Sequence, residues 1–456
     1  MKMKPLGETV TVHDMNIDGT GVARTSGGKV AFVQGAVTGD VVLCDVIKST
    51  PSYDVCRVSE FLERSPLRCA DPCPKQRCGG CAFGELKYEA ELEQKERIVR
   101  EALRRIGSTV PELERICAGS PERYRNKVAY PVAQGRGMKP VFGYYARRTH
   151  EIIMHDSCRL QHDDFAQTAR IFLELAHSFS IPAYDEKIHR GIIRHLVMRR
   201  NTAGEMSLCV VVNGALPHEK KLSELMQMKC PHVKVFAVSI NTEHTNVIAT
   251  NGCRCLYGEH ITDTICGKTL CISPLSFYQV NRDMAEKLYL KAREYADCGS
   301  GILLDLYCGI GTAGLCIAGD DTKLFGVEIV PQAVEDARKN ATMNGRSEND
   351  TCFVAGDASI GVRGCINRFG RPDVIVVDPP RHGLEREVIE TVTAAEPERI
   401  VYISCNPATL ARDAVLFADH GYSCVRGAVF DLFPRTAHVE TVVLMSRSEK
   451  IPTGRI

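Results

Sequence analysis

The C-terminal part of the chain alternates short apolar runs with helical stretches, and this alternation limits the possible folds more than any other feature. The runs "GILLDLY", "TKLFGVE", "TCFVAG", "PDVIVVD" and "RIVYIS" are separated by stretches such as "PQAVEDARKNATMNG". Such alternation predicts a doubly wound, mostly parallel sheet. The last two runs, "CVRGAVFDL" and "ETVVLMS", leave no room for a helix between them and should pair antiparallel.

A glycine-rich turn and a set of acids predict a ligand site in this domain. "DLYCGIGTAG" (305–314) contains a G-x-G-x-x-G pattern, which lets the backbone approach a ligand at a helix N-terminus. Glu328, Asp357 and Asp378 follow the next three strands, at the edge where open α/β sheets bind ligands. Each acid alone could cap a helix, and NAD dehydrogenases share the glycine pattern.

One cysteine occupies the same predicted edge. "VYISCNPATLARD" (401–413) places Cys405 at the end of the fifth strand, where the helix begun by Pro407 should lower the thiol pKa. A thiol there suits methylation at carbon 5 of a pyrimidine, because that carbon is nearly inert until a nucleophile adds to carbon 6. The reaction then needs a base, for which we choose Glu440, with His438 as the competitor. Considered alone, Cys405 could equally be a buried core thiol.

The chain has 456 residues and 21 cysteines, and its N-terminus lacks the apolar region of a signal peptide. Because no apolar run is long enough to cross a bilayer, we expect a cytoplasmic protein without membrane association. In a reducing compartment, the spacing Cys73-x4-Cys78-x2-Cys81 predicts a metal site. Zinc and an iron–sulfur cluster both fit this spacing, which identifies no fourth ligand.

The N-terminal two thirds of the chain predict two further units. Residues 6–62 read as five short strands with glycine turns, which is typical of a small barrel. Residues 120–275 read as mixed α/β, with a helix near 163–178. The net charge is only +1, but basic residues cluster in 121–150 and 187–200, which favours a polyanionic partner.

Four motifs carry a resemblance to a known family. "DLYCGIGT", "VDPPRHG", "YISCNPATLARD" and "DLFPRTAHVE", in this order and spacing, resemble the RNA uracil-C5 methyltransferase family. The resemblance implies a Rossmann-like, class I S-adenosyl-L-methionine methyltransferase domain with Cys405 as the nucleophile and Glu440 as the proton acceptor. It also implies cofactor contacts from five residues: Gln279, Tyr307, Glu328, Asp357 and Asp378.

The resemblance extends to the N-terminal parts. "DGTGVART" and "GKVAFVQGAVTGD" are similar to a TRAM domain, an OB-like barrel that grips RNA, and Arg125 and Lys127 of "YRNKVAYPV" could meet phosphates. Ribosomal-RNA members of the family carry a 4Fe-4S cluster on a C-P-x4-C-G-G-C pattern and a downstream cysteine. "CPKQRCGGC" is one residue shorter, so Cys69 is held in reserve as the first ligand. The implied ligands are Cys73, Cys78, Cys81 and Cys158.

These observations predict a monomeric enzyme in three parts: a TRAM-like barrel (1–62), a cysteine-cluster segment with a mixed α/β central domain (63–275), and a methyltransferase domain (276–456). The expected reaction is methylation of a uridine at carbon 5. Barrel and cluster together favour 23S ribosomal RNA, because the bacterial transfer-RNA enzymes of this family usually lack both. The alternatives are a transfer-RNA methyltransferase and a non-catalytic iron–sulfur RNA-binding protein.

Overall fold

The computed structural model describes residues 7–75, 77–104, 111–147, 149–249 and 252–447. Its N-terminal part is one curled sheet of six strands in the order β1-β5-β6-β4-β3-β2. These strands are β1 (Glu8–Thr11), β2 (Asp14–Met15), β3 (Gly21–Arg24), β4 (Val30–Gln34), β5 (Val41–Ser49) and β6 (Tyr53–Glu63). Small apolar side chains such as Val10, Ala23, Ala31 and Val42 fill its interior. This sheet corresponds to the predicted OB-like barrel.

A helix, a short strand and a seven-stranded sheet follow. They comprise α1 (Tyr88–Arg104), β7 (Glu112–Leu113), β8 (Lys127–Gln134), a 3-10 turn (Arg136–Met138), β9 (Pro140–Tyr145), β10 (Ile152–Met154), α2 (Asp163–Ser178), β11 (Ile193–Arg200), β12 (Met206–Val212), α3 (Glu219–Lys229), β13 (Val233–Ile240) and β14 (Arg254–Tyr257). The order of this sheet is β10-β9-β8-β11-β12-β13-β14. Helices α2 and α3 cover one face, and the predicted helix at 163–178 is confirmed.

The C-terminal part is the predicted doubly wound sheet. Its elements are β15 (Ile261–Ile265), β16 (Lys268–Ile272), α4 (Arg282–Ala296), β17 (Ile302–Leu306), α5 (Thr312–Ile317), β18 (Lys323–Glu328), α6 (Pro331–Met343), β19 (Thr351–Ala355), α7 (Ala358–Phe369), β20 (Val374–Val377), α8 (Arg386–Ala394), β21 (Arg399–Ser404), α9 (Pro407–Asp419), β22 (Tyr422–Phe430) and β23 (Glu440–Arg447). The order is β19-β18-β17-β20-β21-β23-β22-β7. Strands β17 to β21 are parallel, and β23 is antiparallel to both β21 and β22, as predicted.

Segments that precede residue 276 also pack against this sheet. Val99 and Leu103 of α1 lie in the same buried cluster as Phe417 of α9, and β7 extends the sheet beyond β22. The hairpin of β15 and β16 packs on the opposite face with α4 and α6. The domain limits after residues 62 and 275 therefore stay predictions. Within the described ranges, no helix is long and apolar enough to cross a membrane.

Candidate active site

The glycine-rich turn lies where the parallel sheet changes direction. β17 is flanked by β18 on one side and β20 on the other, and such a switch point leaves a crevice at the carboxyl ends of the strands. Gly309 and Gly311 have φ of 54° and 81°, which is the left-handed backbone that glycine tolerates. At Gly314 a Cβ atom would stand 2.7 Å from a carboxylate oxygen of Asp305, so any side chain there would have to displace Asp305. The predicted ligand turn is therefore formed.

Three carboxyl groups lie near the carboxyl ends of these strands: Asp305 within β17, Glu328 at the end of β18, and Asp378 directly after β20. Glu328 accepts a hydrogen bond from the Gly309 backbone N–H at 3.2 Å. Burial raises the pKa of Asp378 to about 7. Burial likewise raises the pKa of Asp305 to about 8, with the negative charges of Asp378 and Glu328 adding to the effect. An acidic, partly desolvated site of this kind suits a cationic ligand that carries hydroxyl groups.

Asp305 was not among the predicted cofactor residues. It is fully buried; its Oδ2 accepts a hydrogen bond from the Gly314 N–H at 2.8 Å, and its Oδ1 is without a hydrogen-bond partner. A buried carboxylate oxygen without a partner is costly unless a ligand supplies the donor. The sequence could have indicated Asp305 as a site residue, because it opens the motif "DLYCGIGTAG" that contains the glycine turn.

The other predicted cofactor residues lie in different settings. Gln279 is buried and lies beside Tyr289, a buried tyrosine that is also near Asp378. Tyr307 follows β17 with φ of 68° and is half-buried, near Glu328. Asp357 is exposed and caps α7, because its Oδ1 accepts a hydrogen bond from the Ile360 N–H at 2.9 Å. A cofactor contact for Asp357 stays a prediction.

Cys405 and Glu440 lie next to each other at one edge of the sheet. Cys405 follows β21 directly, Glu440 begins β23, and the adjacent residues Ser404 and Thr441 are paired between the two strands. Burial, together with the carboxyls of Glu440 and Asp378, raises the pKa of the Cys405 thiol to about 11, while Arg381 opposes that rise. The predicted lowering by the helix terminus is therefore wrong. The fold brings two carboxyls to the thiol, and the Asn406 side chain caps α9 at the Ala408 N–H.

Glu440 is the stronger of the two candidate bases. It is buried, and burial together with Asp378 raises its pKa well above the ordinary range, against the effect of Arg381. The pKa of His438 is lowered to about 4 by burial and by the nearby cations Arg381, Lys95 and Arg125. A group with so low a pKa holds a proton poorly, whereas a carboxylate with a raised pKa accepts one more readily.

Arg381 contacts residues from two of the motifs at this site. It is not among the site residues predicted from the sequence, although it directly follows the two prolines of "VDPPRHG". Its Nη2 lies 3.0 Å from the Nε2 of His438. Its carbonyl oxygen accepts a hydrogen bond from the Asn406 side chain at 3.0 Å. Because its charge opposes the pKa rise of both Cys405 and Glu440, Arg381 stabilises the anionic forms of both groups.

Known proteins resemble this chain over most of its length. A family model described as tRNA (Uracil-5-)-methyltransferase matches residues 366–448, and one described as TRAM domain matches residues 8–53. An uncharacterised RNA methyltransferase of Halalkalibacterium halodurans is 40% identical over 444 residues, which is 96% of each chain. The chain belongs to the RNA uracil-C5 methyltransferase family. A second relative, an uncharacterised RNA methyltransferase of Bacillus cereus, is 37% identical and covers 97% of this chain and 96% of its own.

A solved structure shows the same fold over nearly the whole length. The crystal structure of the Pyrococcus abyssi tRNA (uracil-54, C5)-methyltransferase, in complex with S-adenosyl-L-homocysteine, matches with a TM-score of 0.77 at 24% identity. The match covers 96% of this chain and 100% of that one. The predicted fold, an S-adenosylmethionine-dependent methyltransferase domain with an N-terminal OB-like sheet and a mixed α/β central part, is confirmed.

In this methyltransferase the four predicted metal ligands line one cavity. Cys73, Cys78, Cys81 and Cys158 contribute to the wall of a cavity of about 710 Å³ between the N-terminal sheet and the central domain, whereas Cys69 is absent from its described lining. Burial and the nearby Cys158, Cys78 and Cys73 raise the pKa of Cys81 to about 12. Among the described residues, no three His, Cys, Asp or Glu side chains are grouped closely enough to hold a metal ion.

The two predicted phosphate contacts are less accessible than expected. Arg125 lines the cysteine cavity, and its buried Nε is without a hydrogen-bond partner. Its charge lowers the pKa values of Cys78, Cys81 and Cys158 against the effect of burial. The pKa of Lys127 is lowered to about 8 by burial and by Arg199. Arg125 is therefore placed to neutralise charge in the cavity rather than to face solvent.

Proposed function

We propose that this enzyme methylates carbon 5 of a uridine in RNA through a covalent bond between the Cys405 Sγ and carbon 6. The observation that carries the proposal is the placement of Cys405 and Glu440 at adjacent strand ends, facing Asp378 of the ligand crevice. S-adenosylmethionine, when bound, supplies an electrophilic methyl group on a sulfonium. A thiol with a purely structural role would need no carboxyl beside it. The pairing of Cys405 with Glu440 therefore favours covalent catalysis.

The chemistry follows from the two side chains. The Cys405 thiol releases its proton to solvent, the resulting thiolate adds to carbon 6, and the electron pair of the carbon 5–carbon 6 double bond moves toward the carbonyl at carbon 4. Carbon 5 then takes the methyl group, and S-adenosylhomocysteine leaves with the electron pair of the broken sulfur–carbon bond. Glu440 removes the proton from carbon 5, the double bond re-forms, and the thiolate is expelled.

The local charges suit these steps. In the unliganded protein the thiol is mostly protonated, because its pKa is about 11, so the reaction needs a nearby group that favours the thiolate. Arg381 provides that charge from the loop after β20. The raised pKa of Glu440 makes its carboxylate a stronger acceptor for the carbon 5 proton.

We propose that Gln279, Tyr307, Glu328 and Asp378 hold S-adenosylmethionine, together with Asp305. Changing Asp378 to Asn should weaken the binding of S-adenosylhomocysteine by about 10- to 100-fold, because a charged hydrogen-bond acceptor is lost. Isothermal titration calorimetry measures this affinity. The matched control is Asp320→Asn, since the Asp320 side chain is exposed. Equal affinity in the Asp378 and Asp320 variants would contradict the assignment, and weaker binding by Asp357→Asn would add Asp357 to the site.

We also propose that Cys73, Cys78, Cys81 and Cys158 bind a 4Fe-4S cluster. Their thiols share one cavity wall with the cation of Arg125, which suits a group of net negative charge. The spacing of the cysteines also fits zinc, so the metal content of the protein decides between the two.

Iron analysis of protein purified without oxygen tests the cluster. The parental enzyme should contain iron and acid-labile sulfide, and Cys73→Ser should lose most of both, because one ligand is removed. Cys69→Ser is the matched control and should keep its iron, since Cys69 is absent from the described cavity wall. Zinc without iron would contradict the cluster, and iron loss in the Cys69 variant alone would make Cys69 the first ligand.

The proposed substrate is a uridine of 23S ribosomal RNA, modified by a monomeric enzyme in the cytoplasm. The combination of the TRAM domain with the cysteine cavity supports this choice over transfer RNA. We expect 5-methyluridine to disappear from one or more positions of 23S RNA when the gene is deleted. Mass spectrometry of ribosomal and transfer RNA from both strains measures it, and a loss confined to transfer RNA would favour the alternative substrate.

A further inference from the structure

The residues that precede Glu440 are held by a buried ionic cluster from α1. Here residues 431–439 are called the base loop, and residues 83–95 the anchor segment. Lys95, Glu91 and Asp431 are fully buried. The Lys95 Nζ donates hydrogen bonds to Asp431 at 2.7 Å, to Glu91 at 2.8 Å and to the Phe433 carbonyl at 3.1 Å. Buried charges rarely add stability over apolar packing, so their placement points to a demand on geometry.

A second set of contacts holds the middle of the base loop. Arg435 has φ of 69°, a left-handed conformation that a non-glycine residue keeps only when its surroundings impose it. Its backbone N–H donates to Glu91 at 2.6 Å, and its carbonyl accepts from the Phe83 N–H at 3.0 Å. Its guanidinium donates to the Leu86 carbonyl at 2.8 Å and stands over the ring of Tyr88 at 5.3 Å.

The base loop leads directly into the active site. Its His438 lies 3.0 Å from Arg381, and Glu440 is the next residue but one. Cys405 follows β21, which is paired on both sides with β20 and β23, whereas Glu440 is the first residue of β23 and follows the base loop directly. A change in the anchor segment should therefore disturb the base more than the nucleophile.

We infer that Lys95 and Arg435 are positioning residues for proton removal: they hold the base loop so that the Glu440 carboxylate meets the proton on carbon 5. This inference rests on the proposed function. Neither side chain touches the reacting atoms in this account. Lys95 and Arg435 therefore affect proton removal, the step after methyl transfer. A general contribution to folding would instead slow every step.

RNA containing 5-fluorouridine separates the two steps. Fluorine at carbon 5 cannot be removed as a proton, so the thiol and the methyl group both stay on the ring and the adduct accumulates without help from a base. The variants are Arg435→Gly, which tolerates the left-handed backbone, and Lys95→Met. Arg447→Ala is the control, because Arg447 pairs with Glu396 on the exposed surface.

Both variants should turn over uridine RNA about 10- to 100-fold more slowly, because a displaced base loses most of its effect. The rate of adduct formation with 5-fluorouridine RNA and the KM for RNA should stay within about twofold of the parental values. A parallel fall of turnover and adduct formation, or unchanged turnover in Arg435→Gly, would overturn the inference. If Lys95→Met does not fold, Arg435→Gly alone decides. A parental enzyme that forms no adduct would instead overturn the proposed function.

Discussion

Replacing Cys405 with alanine is expected to abolish methyl transfer to RNA. Without the thiol, carbon 6 has no nucleophile and carbon 5 stays too unreactive to attack the methyl donor. Loss of a nucleophile costs several orders of magnitude in other enzymes, so we expect at least about a 10³-fold fall in turnover. Transfer of a radiolabelled methyl group to RNA under single-turnover conditions measures the loss.

The control for this experiment is Cys298→Ala. Cys298 is another partly buried thiol of the same domain, in the turn between α4 and β17, and it should not affect the rate. Binding of S-adenosylhomocysteine by the Cys405 variant shows that the crevice is intact. Methyl transfer at the parental rate by the Cys405 variant would refute the covalent mechanism.

Replacing Glu440 with glutamine is expected to trap the enzyme on its substrate. Glu440 acts only after thiol addition and methyl transfer, so ordinary uridine RNA should accumulate as a methylated covalent complex whose carbon 5 proton cannot leave. Turnover should fall by about 10²- to 10⁴-fold, which is the usual contribution of a general base. Glutamine is nearly isosteric with glutamate and fits the same buried position, so the fold should be preserved.

A denaturing gel measures the complex, because a covalent bond survives denaturation. His438→Asn provides the comparison at the competing base, and we expect it to release its product without accumulating a complex. Accumulation in the His438 variant together with normal release by the Glu440 variant would assign the proton transfer to His438.

Much of this site could be predicted because strand ends are local features. Apolar runs mark the strands, and parallel strands end at one edge of the sheet, so Glu328, Asp378 and Cys405 were expected together. Glu440 reaches that edge because its strand, β23, lies between β21 and β22 in the sheet. The two final runs predict an antiparallel pair, but their pattern does not say which of them lies beside β21.

Other features depend on contacts between distant residues. Helix α1 is rich in charged residues, yet its Lys95 meets Asp431 across 336 positions of the chain and is fully buried. The pKa of Cys405 has the opposite direction to the predicted one, because the fold sets two carboxyls beside the thiol. Strand β7 spans only two residues, too few for any periodic pattern to mark it.

Mass spectrometry of the trapped adduct tests the central claim most directly. The parental enzyme is incubated with S-adenosylmethionine and a 23S RNA fragment that carries 5-fluorouridine, and the complex is digested with protease and nuclease. The account predicts one modified peptide, with a methylated fluorouridine on Cys405. A missing adduct, or attachment to another thiol such as the buried Cys308 of the cofactor turn, would contradict it.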